Sequence, residues 1–198
     1  MQACTLHYIK NDSVLKNEDL VLIDAAAENN GYASDITRTF PVNGKFTKEQ
    51  SQIYDIVLNA QEKAINFIKP GVTWNEVHKI TVYEITKGLK ELKLLSGTIE
   101  DIIKNEAYKN FFMHNTGHWL GLDVHDVGEY ENILFEPGMV ITVEPGIYIN
   151  LLNNNVSEKW RGIGIRIEDD VLVTENGNEV ITKDLAKKRN EIEGLCNQ

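Results

Sequence analysis

The sequence has little cysteine, no basic cluster and no long apolar run. Its two cysteines, Cys4 and Cys196, lie near opposite ends of 198 residues, which argues against a disulfide framework or a thiolate metal site. The formal net charge is −10 and no Lys- or Arg-rich run occurs, so nucleic acid and anionic membranes are poor partners. No stretch approaches the roughly 20 apolar residues of a membrane span. These absences predict a cytoplasmic protein that binds neither nucleic acid nor membrane.

Several catalytic signatures are also missing. The sequence contains no nucleophile elbow, phosphate loop or glycine fingerprint. His114 and His118 have the i, i+4 spacing of a helical zinc pair, but no Glu follows the first histidine and Gly117 lies between them. A zincin helix is therefore rejected. With 42% hydrophobic residues, the chain can nevertheless bury a sizeable core.

Apolar patterns predict strands at both ends of the chain and helices between them. Thr47-x-x-Gln50 and Thr73-x-x-Glu76 match the capping box, and each begins a helically spaced apolar run. Turn residues at 70–71 and 96–97 end these two helices. A short third helix is predicted at 99–107, and strands are predicted at 4–9, 20–23, 32–40, 139–143 and 163–168. The charged tail after Lys183 is a helix or is frayed.

One pattern occurs twice. An apolar strand that ends in a carboxylate, a turn, and a returning strand with a second carboxylate are found at 20–40 and again at 139–168. Two such halves facing each other would bring four carboxylates together. This arrangement predicts a mixed fold of helices and strands with a site between its halves.

The candidate site residues are those carboxylates and one histidine. They all follow or interrupt apolar segments: Asp24, Asp35, His118, Glu144 and Glu168. Burial of unpaired carboxylates is costly, and a cation offsets that cost. Four carboxylates and one imidazole suit two hard divalent cations, which favours hydrolytic chemistry.

The motifs around these residues resemble one family. Gly31-Tyr-Ala-Ser-Asp35, His114-x3-His118-Trp-Leu-Gly-Leu-Asp-Val-His125-Asp, Thr142-Val-Glu144-Pro-Gly and Gly164-Ile-Arg-Ile-Glu168-Asp-Asp are together highly specific. They are similar to the Xaa-Pro aminopeptidase branch of the pita-bread metallopeptidase family M24, over nearly the whole chain. The resemblance implies an α/β (α+β) pita-bread fold, with two pseudo-symmetric halves and a curved antiparallel sheet covered by helices.

The resemblance also implies roles for individual residues. The five candidate residues match the family's dinuclear metal ligands, usually occupied by Mn²⁺ in this branch. A hydroxide that bridges the metals attacks the peptide bond before proline, and Glu144 shuttles a proton as well as binding metal. His125 matches the histidine that binds the substrate carbonyl or the intermediate. His7 and His114 match further active-site histidines, and Arg166 matches an arginine that supports the ligands.

Length sets the remaining expectations. Family enzymes carry an N-terminal domain and an opening segment of the catalytic domain, so we expect residues 1–183 to be an N-terminally truncated catalytic domain and 184–198 a charged tail. Truncation would expose an apolar face that includes Leu20, Leu22 and Ile36, and it favours a homo-oligomer. Peptides with proline in the second position are the expected substrates. The alternatives are a prolidase that acts on Xaa-Pro dipeptides, and an inactive remnant or binding module. Methionine aminopeptidase fits the motifs less well.

Overall fold

The computed structural model describes residues 2–196 and contains a helical block between two groups of antiparallel strands. The strands are β1 (Leu20–Ala25), β2 (Glu28–Asn29), β3 (Tyr32–Ala33), β4 (Ile36–Pro41), β5 (Val140–Val143), β6 (Gly146–Tyr148), β7 (Gly164–Arg166), β8 (Asp169–Thr174) and β9 (Gly177–Val180). The α-helices are α1 (Lys48–Phe67), α2 (Trp74–Glu91), α3 (Ile99–Lys104) and α4 (Arg189–Cys196). Short 3₁₀ helices form at Gln2–Cys4, Ala107–Asn110 and Glu158–Trp160.

Both long helices begin where the sequence predicts. Thr47 and Thr73 each cap the backbone N–H of the residue three positions on, and the capping boxes with Gln50 and Glu76 are both complete. The end predicted for the second helix is wrong. It ends at Glu91, because Lys93 adopts a left-handed conformation with φ of 60° that stops helical hydrogen bonding.

Gly88 lies where α1 and α2 cross. A Cβ at this position would come within 2.6 Å of the Ile56 side chain. The glycine therefore lets the two helices approach. The third helix is shorter than predicted and ends at Lys104, because Glu106 has a φ of 54°.

The strand pairs bring the two halves together. β1 pairs with β4 so that Asp24 lies opposite Thr37, while β5, β8 and β9 form one antiparallel sheet and β6 pairs with β7. Hydrogen bonds then join β4 to the other half. The Glu168 N–H donates to the Thr37 carbonyl at 3.1 Å, and the Thr39 hydroxyl donates to the Arg166 carbonyl at 2.9 Å. The facing halves are thus held in register at the candidate residues.

The predicted strand at 4–9 is wrong. Residues 2–4 form a 3₁₀ turn, and 5–19 have no strand that pairs with them in the described chain. The Tyr8 hydroxyl instead bonds to the Asp12 carboxylate at 2.5 Å and to Ser13 at 2.9 Å, which closes a local turn. Apolar alternation alone does not make a strand when no neighbouring edge accepts its backbone hydrogen bonds.

The C-terminal segment packs on the rest of the molecule. Ile192 of α4 is buried, the Tyr54 hydroxyl donates to the Lys187 carbonyl at 2.7 Å, and Arg189 pairs with Asp55 at 3.0 Å. The apolar face expected at Leu20, Leu22 and Ile36 is not exposed, because Leu20 is buried and the other two are half-buried. Ile23 of β1 is instead 47% exposed. Among residues 2–196, no helix is long and apolar enough to cross a membrane.

Candidate metal centre

All five candidate residues line one cavity of about 480 Å³ between the two halves. Asp24 belongs to β1 and Asp35 precedes β4, so one hairpin supplies both. Glu144 lies between β5 and β6, and Glu168 lies between β7 and β8. His118 comes from the long loop before β5. The repeated strand and carboxylate pattern of the sequence therefore corresponds to two facing hairpins.

The loop that carries His118 is fixed to β5 by backbone bonds. The Thr142 N–H donates to the His118 carbonyl at 2.9 Å, and the Glu144 N–H donates to the Thr116 carbonyl at 2.7 Å. Between them, Gly117 approaches so closely that a Cβ would lie 1.9 Å from the Thr142 carbonyl oxygen. Only glycine permits this approach, which places His118 beside Glu144.

The tautomer of His118 follows from its contacts. Nδ1 lies 2.9 Å from the Trp119 carbonyl, which can only accept, so Nδ1 carries the proton. Nε2 faces the cavity, 3.3 Å from Asp35 and 3.7 Å from Glu144, and against the effect of burial these carboxylates raise the pKa of the ring. An imidazole that donates one N–H to a backbone carbonyl and has its other nitrogen in a cavity has the usual arrangement of a metal ligand.

The carboxylates have strongly perturbed acidity. Burial raises the pKa of Glu144 to about 7 against the pull of His118 and Arg166, and burial together with the nearby Glu144 carboxylate raises the pKa of Glu168 well above its usual range. Burial also raises the pKa of Asp24. Burial opposes ionisation of Asp35 as well, but hydrogen bonds from His118 and Asp24 outweigh it and lower the pKa. The cavity thus groups more acidic side chains than its own basic side chains can neutralise.

This donor set fits divalent cations. Two groups of side chains bring one possible ligand atom each to within 4.8 Å of the others, Asp24 with Asp35 and Glu168, and His118 with Glu144 and Glu168. Four carboxylates face one guanidinium and one imidazole, so bound cations would supply the missing positive charge. Carboxylate oxygens with an imidazole nitrogen suit Mn²⁺-like or Zn²⁺-like ions rather than soft metals.

Arg166 supports several of these side chains at once. Its guanidinium donates to the Asp24 carboxylate at 2.6 Å, to the Thr37 hydroxyl at 3.0 Å and to the Tyr148 hydroxyl at 3.1 Å. The Thr37 hydroxyl in turn donates to Glu168 at 2.5 Å. Arg166 thus lies behind the carboxylates and fixes their orientation.

The other predicted histidines occupy different positions around the cavity. His114 keeps its Nδ1 proton on the Asn115 carbonyl at 2.7 Å, so Nε2 accepts from the Tyr148 hydroxyl at 2.9 Å, and burial lowers the pKa of this imidazole to about 4. His125 is exposed, with its ring 4.3 Å from that of His118. A third possible ligand group joins His125 to Asp35 and His118. His7 lines the cavity from the irregular N-terminal segment.

Sequence reasoning missed several neighbours of the site. Tyr148 connects Arg166 to His114, Thr37 connects Arg166 to Glu168, and the Asp170 carboxylate accepts from the Asp35 N–H at 3.2 Å. The signal for Thr37 was present, since Thr37 and Thr39 occupy alternate positions of β4 on one face of the strand, and both are buried. Polar residues on the inward face of a strand indicate a buried partner.

Comparison with known proteins agrees with this geometry. Residues 1–175 match metallopeptidase family M24. The chain is 52% identical over 195 residues to the Xaa-Pro aminopeptidase of Escherichia coli, an alignment that covers 97% of this chain and 44% of that protein. It is 50% identical over 198 residues to the Xaa-Pro aminopeptidase of Haemophilus influenzae, which covers 98% of this chain and 46% of that protein.

A solved structure gives the same fold. Pseudomonas aeruginosa aminopeptidase PepP superposes with a TM-score of 0.97 at 56% identity, covering 98% of this chain and 45% of that one. The predicted pita-bread architecture is therefore confirmed. The chain spans less than half the length of the relatives that it matches.

Proposed function

Because the chain belongs to metallopeptidase family M24, we propose that it is the metal-binding catalytic part of an aminopeptidase that removes the N-terminal residue of peptides with proline in the second position. One observation carries this proposal. Asp24, Asp35, His118, Glu144 and Glu168 converge from two facing hairpins on one open cavity. Relatives that share half of its residues are named Xaa-Pro aminopeptidases, which supports the substrate class.

The five converging residues would hold two divalent cations. Glu168 belongs to both ligand groups within the cavity, so ions held by the two groups would be neighbours. When bound, such a pair supplies Lewis acidity that activates water near neutral pH and stabilises developing negative charge. We propose Mn²⁺, on the basis of the carboxylate-rich donor set.

The remaining side chains would bind and orient the peptide and move protons. His125 lies exposed beside His118, where a ring N–H would donate to the substrate carbonyl and its oxyanion. Glu144, which lines the cavity 3.7 Å from His118, would carry a proton to the leaving amine. Arg166 and His114, joined through Tyr148, would keep the carboxylates in place from behind. His7 would contact the peptide from the N-terminal segment.

Three further properties belong to this proposal. Both cysteines are free thiols, which supports a reducing cytoplasm. Val14, Leu15 and Ile23 are exposed apolar side chains that line one groove beside β1, and this apolar surface supports a homo-oligomer. The net charge of −10 supports peptide rather than nucleic-acid partners. The comparisons do not favour the dipeptidase or the non-catalytic alternative.

A metal titration tests the proposal. The purified chain is stripped with chelator, Mn²⁺ is added back, and hydrolysis of an Xaa-Pro-Xaa tripeptide is followed beside an Xaa-Pro dipeptide. We expect release of the first residue from the tripeptide that rises with bound metal and is lost in Glu144→Gln. Cleavage of the dipeptide alone would assign a prolidase. Stoichiometric metal binding without any hydrolysis would assign a binding module.

A further inference from the structure

Asp169 is a fully buried carboxylate that does not face the cavity. It directly follows Glu168, and four donors from different parts of the chain surround it. One oxygen accepts from the Arg38 guanidinium and from the Thr182 hydroxyl, each at 2.7 Å. The other oxygen accepts from the Lys187 ammonium at 2.7 Å and from the Gln61 amide at 3.1 Å. We call these five residues the Asp169 cluster.

Arg38 connects the cluster to the backbone of the candidate ligand. A guanidinium has five N–H donors, and in Arg38 they meet five acceptors: the carbonyls of Thr37, Glu168, Leu185 and Ala186, and the Asp169 carboxylate. The contact to the Glu168 carbonyl is the shortest, at 2.5 Å. The guanidinium of Arg38 therefore connects β4 to the Glu168 backbone and to the C-terminal segment.

Gln61 and Thr182 extend the cluster toward the other candidate ligands. The Gln61 amide also donates to the carbonyl of Val143, the residue before Glu144, at 3.3 Å, and its oxygen accepts from Lys187 at 3.0 Å. The Thr182 hydroxyl accepts from the Asp170 N–H at 3.2 Å, and Asp170 holds the backbone of Asp35. The cluster therefore contacts the backbone at or next to Glu168 and Glu144, and it reaches Asp35 through Asp170.

We propose that the Asp169 cluster is a positioning device for the metal centre, and that the C-terminal residues Thr182 and Lys187 contribute to metal affinity without touching the cavity. This inference rests on the proposed metal site. A buried network of this kind stabilises a fold little more than well-packed apolar residues would. Its effect is on geometry instead. Groups bonded directly to ligands change metal affinity by about 10–100-fold when they are removed, and the cluster acts one contact further out, so we expect the lower end of that range.

The test uses two basic residues of the C-terminal segment. Lys187→Gln removes the ammonium from Asp169, while the control Arg189→Gln removes a neighbouring cation whose partner, Asp55, lies on the exposed surface. Mn²⁺ dissociation constants are measured by calorimetry, and melting temperatures are measured in chelator. We expect Lys187→Gln to weaken Mn²⁺ binding by about tenfold, Arg189→Gln to bind as the wild type does, and Lys187→Arg to restore affinity.

The outcomes separate a positioning role from a structural one. If Lys187→Gln lowers the melting temperature in chelator but binds Mn²⁺ as the wild type does, the cluster is only structural and the inference is wrong. Thr182→Val, which keeps the side-chain shape, decides the matter if Lys187→Gln does not fold. If the wild type binds no divalent cation, the proposed function fails together with the inference. If the wild type binds Mn²⁺ and hydrolyses peptide while Lys187→Gln and Thr182→Val bind equally well, only the inference fails.

Discussion

Replacement of Gly117 by alanine is the most direct test of how this fold positions its site. The added Cβ would lie 1.9 Å from the Thr142 carbonyl oxygen and 2.7 Å from the carbonyl carbon, whereas real Cβ contacts stay above 3.0 Å. The loop or β5 must therefore separate by at least ~1.1 Å. The added Cβ and the Thr142 carbonyl are both fixed by the backbone, so no side-chain rotation relieves the clash.

The displacement affects two proposed ligands. His118 is bonded to Thr142 through both its N–H and its carbonyl, at 3.0 and 2.9 Å, and Glu144 follows two residues later along the chain. Functional side chains tolerate shifts of about 0.5 Å. Overpacking typically destabilises a protein by about 1–3 kcal/mol, and we expect the upper end here. A ~1 Å displacement at a reacting site also lowers turnover by about 10²-fold.

Gly177→Ala provides the matched control. A Cβ at Gly177 meets nothing within 4 Å and this glycine has no left-handed φ, so its change should stay within about 0.5 kcal/mol. Urea unfolding in chelator gives the stability of each variant, and calorimetry gives its Mn²⁺ affinity. If Gly117→Ala and Gly177→Ala have the same free energy of unfolding and the same Mn²⁺ affinity, the close contact at Gly117 does not determine the position of His118.

Three further results are expected. Asp35→Ala should lose at least one of two ions by elemental analysis, because its carboxylate belongs to two of the possible ligand groups. His125→Ala should lower turnover by about 10²–10³-fold with metal content unchanged, as for the loss of an oxyanion donor. Acidification should destabilise the protein through His78, whose pKa is lowered by burial and by Lys109. The unfolded chain takes up a proton there near pH 6.5 while the folded chain resists it, so stability is lost as the pH falls below 6.5.

Each of these results has a comparison that can contradict it. Asp123→Ala removes an exposed carboxylate of the loop after His118 and should keep both ions; equal metal content in the Asp35 variant would remove Asp35 from the ligand set. Loss of metal from His125→Ala would make that residue a ligand. For the pH dependence, unfolding of wild type and His78→Gln is compared between about pH 5 and 8, the range in which an imidazole titrates. Parallel curves would show that His78, bonded to Thr116 at 2.9 Å, does not contribute.

The sequence predicts which residues meet in the cavity better than it predicts the chain path that leads to them. Asp24 and Glu144 are visible as candidates because each carboxylate directly follows a strand-like run rich in apolar residues, where an unpaired charge would need a compensating partner. The helix starts at Thr47 and Thr73 are also visible, since a capping box is a local interaction. Interactions within a few residues of each other leave such patterns, and these predictions agree with the structure.

Features that depend on distant partners leave weaker patterns. The segment after Cys4 alternates like a strand, but no neighbouring edge within the described chain accepts it. From the sequence, Arg38 would be a solvated charge on β4. Its five acceptors instead lie in β4, at Glu168 and Asp169, and in the C-terminal segment. The sequence places Lys187 in a charged tail, yet its ammonium meets a buried carboxylate. Such contacts between separate segments of the chain become visible only when the chain is folded.

The buried carboxylates of Asp169 and Glu168 differ in how their charge is compensated. Asp169 meets four donors, so its charge is compensated by the protein itself. The side chain of Glu168, its neighbour, meets the Thr37 hydroxyl and a guanidinium 3.9 Å away, and its pKa is raised well above the usual range, chiefly by burial. The charges of these two adjacent residues are therefore compensated to different extents. Donors from the protein itself compensate Asp169, which faces away from the cavity. Glu168 faces the cavity with fewer donors, and a bound cation would compensate its charge.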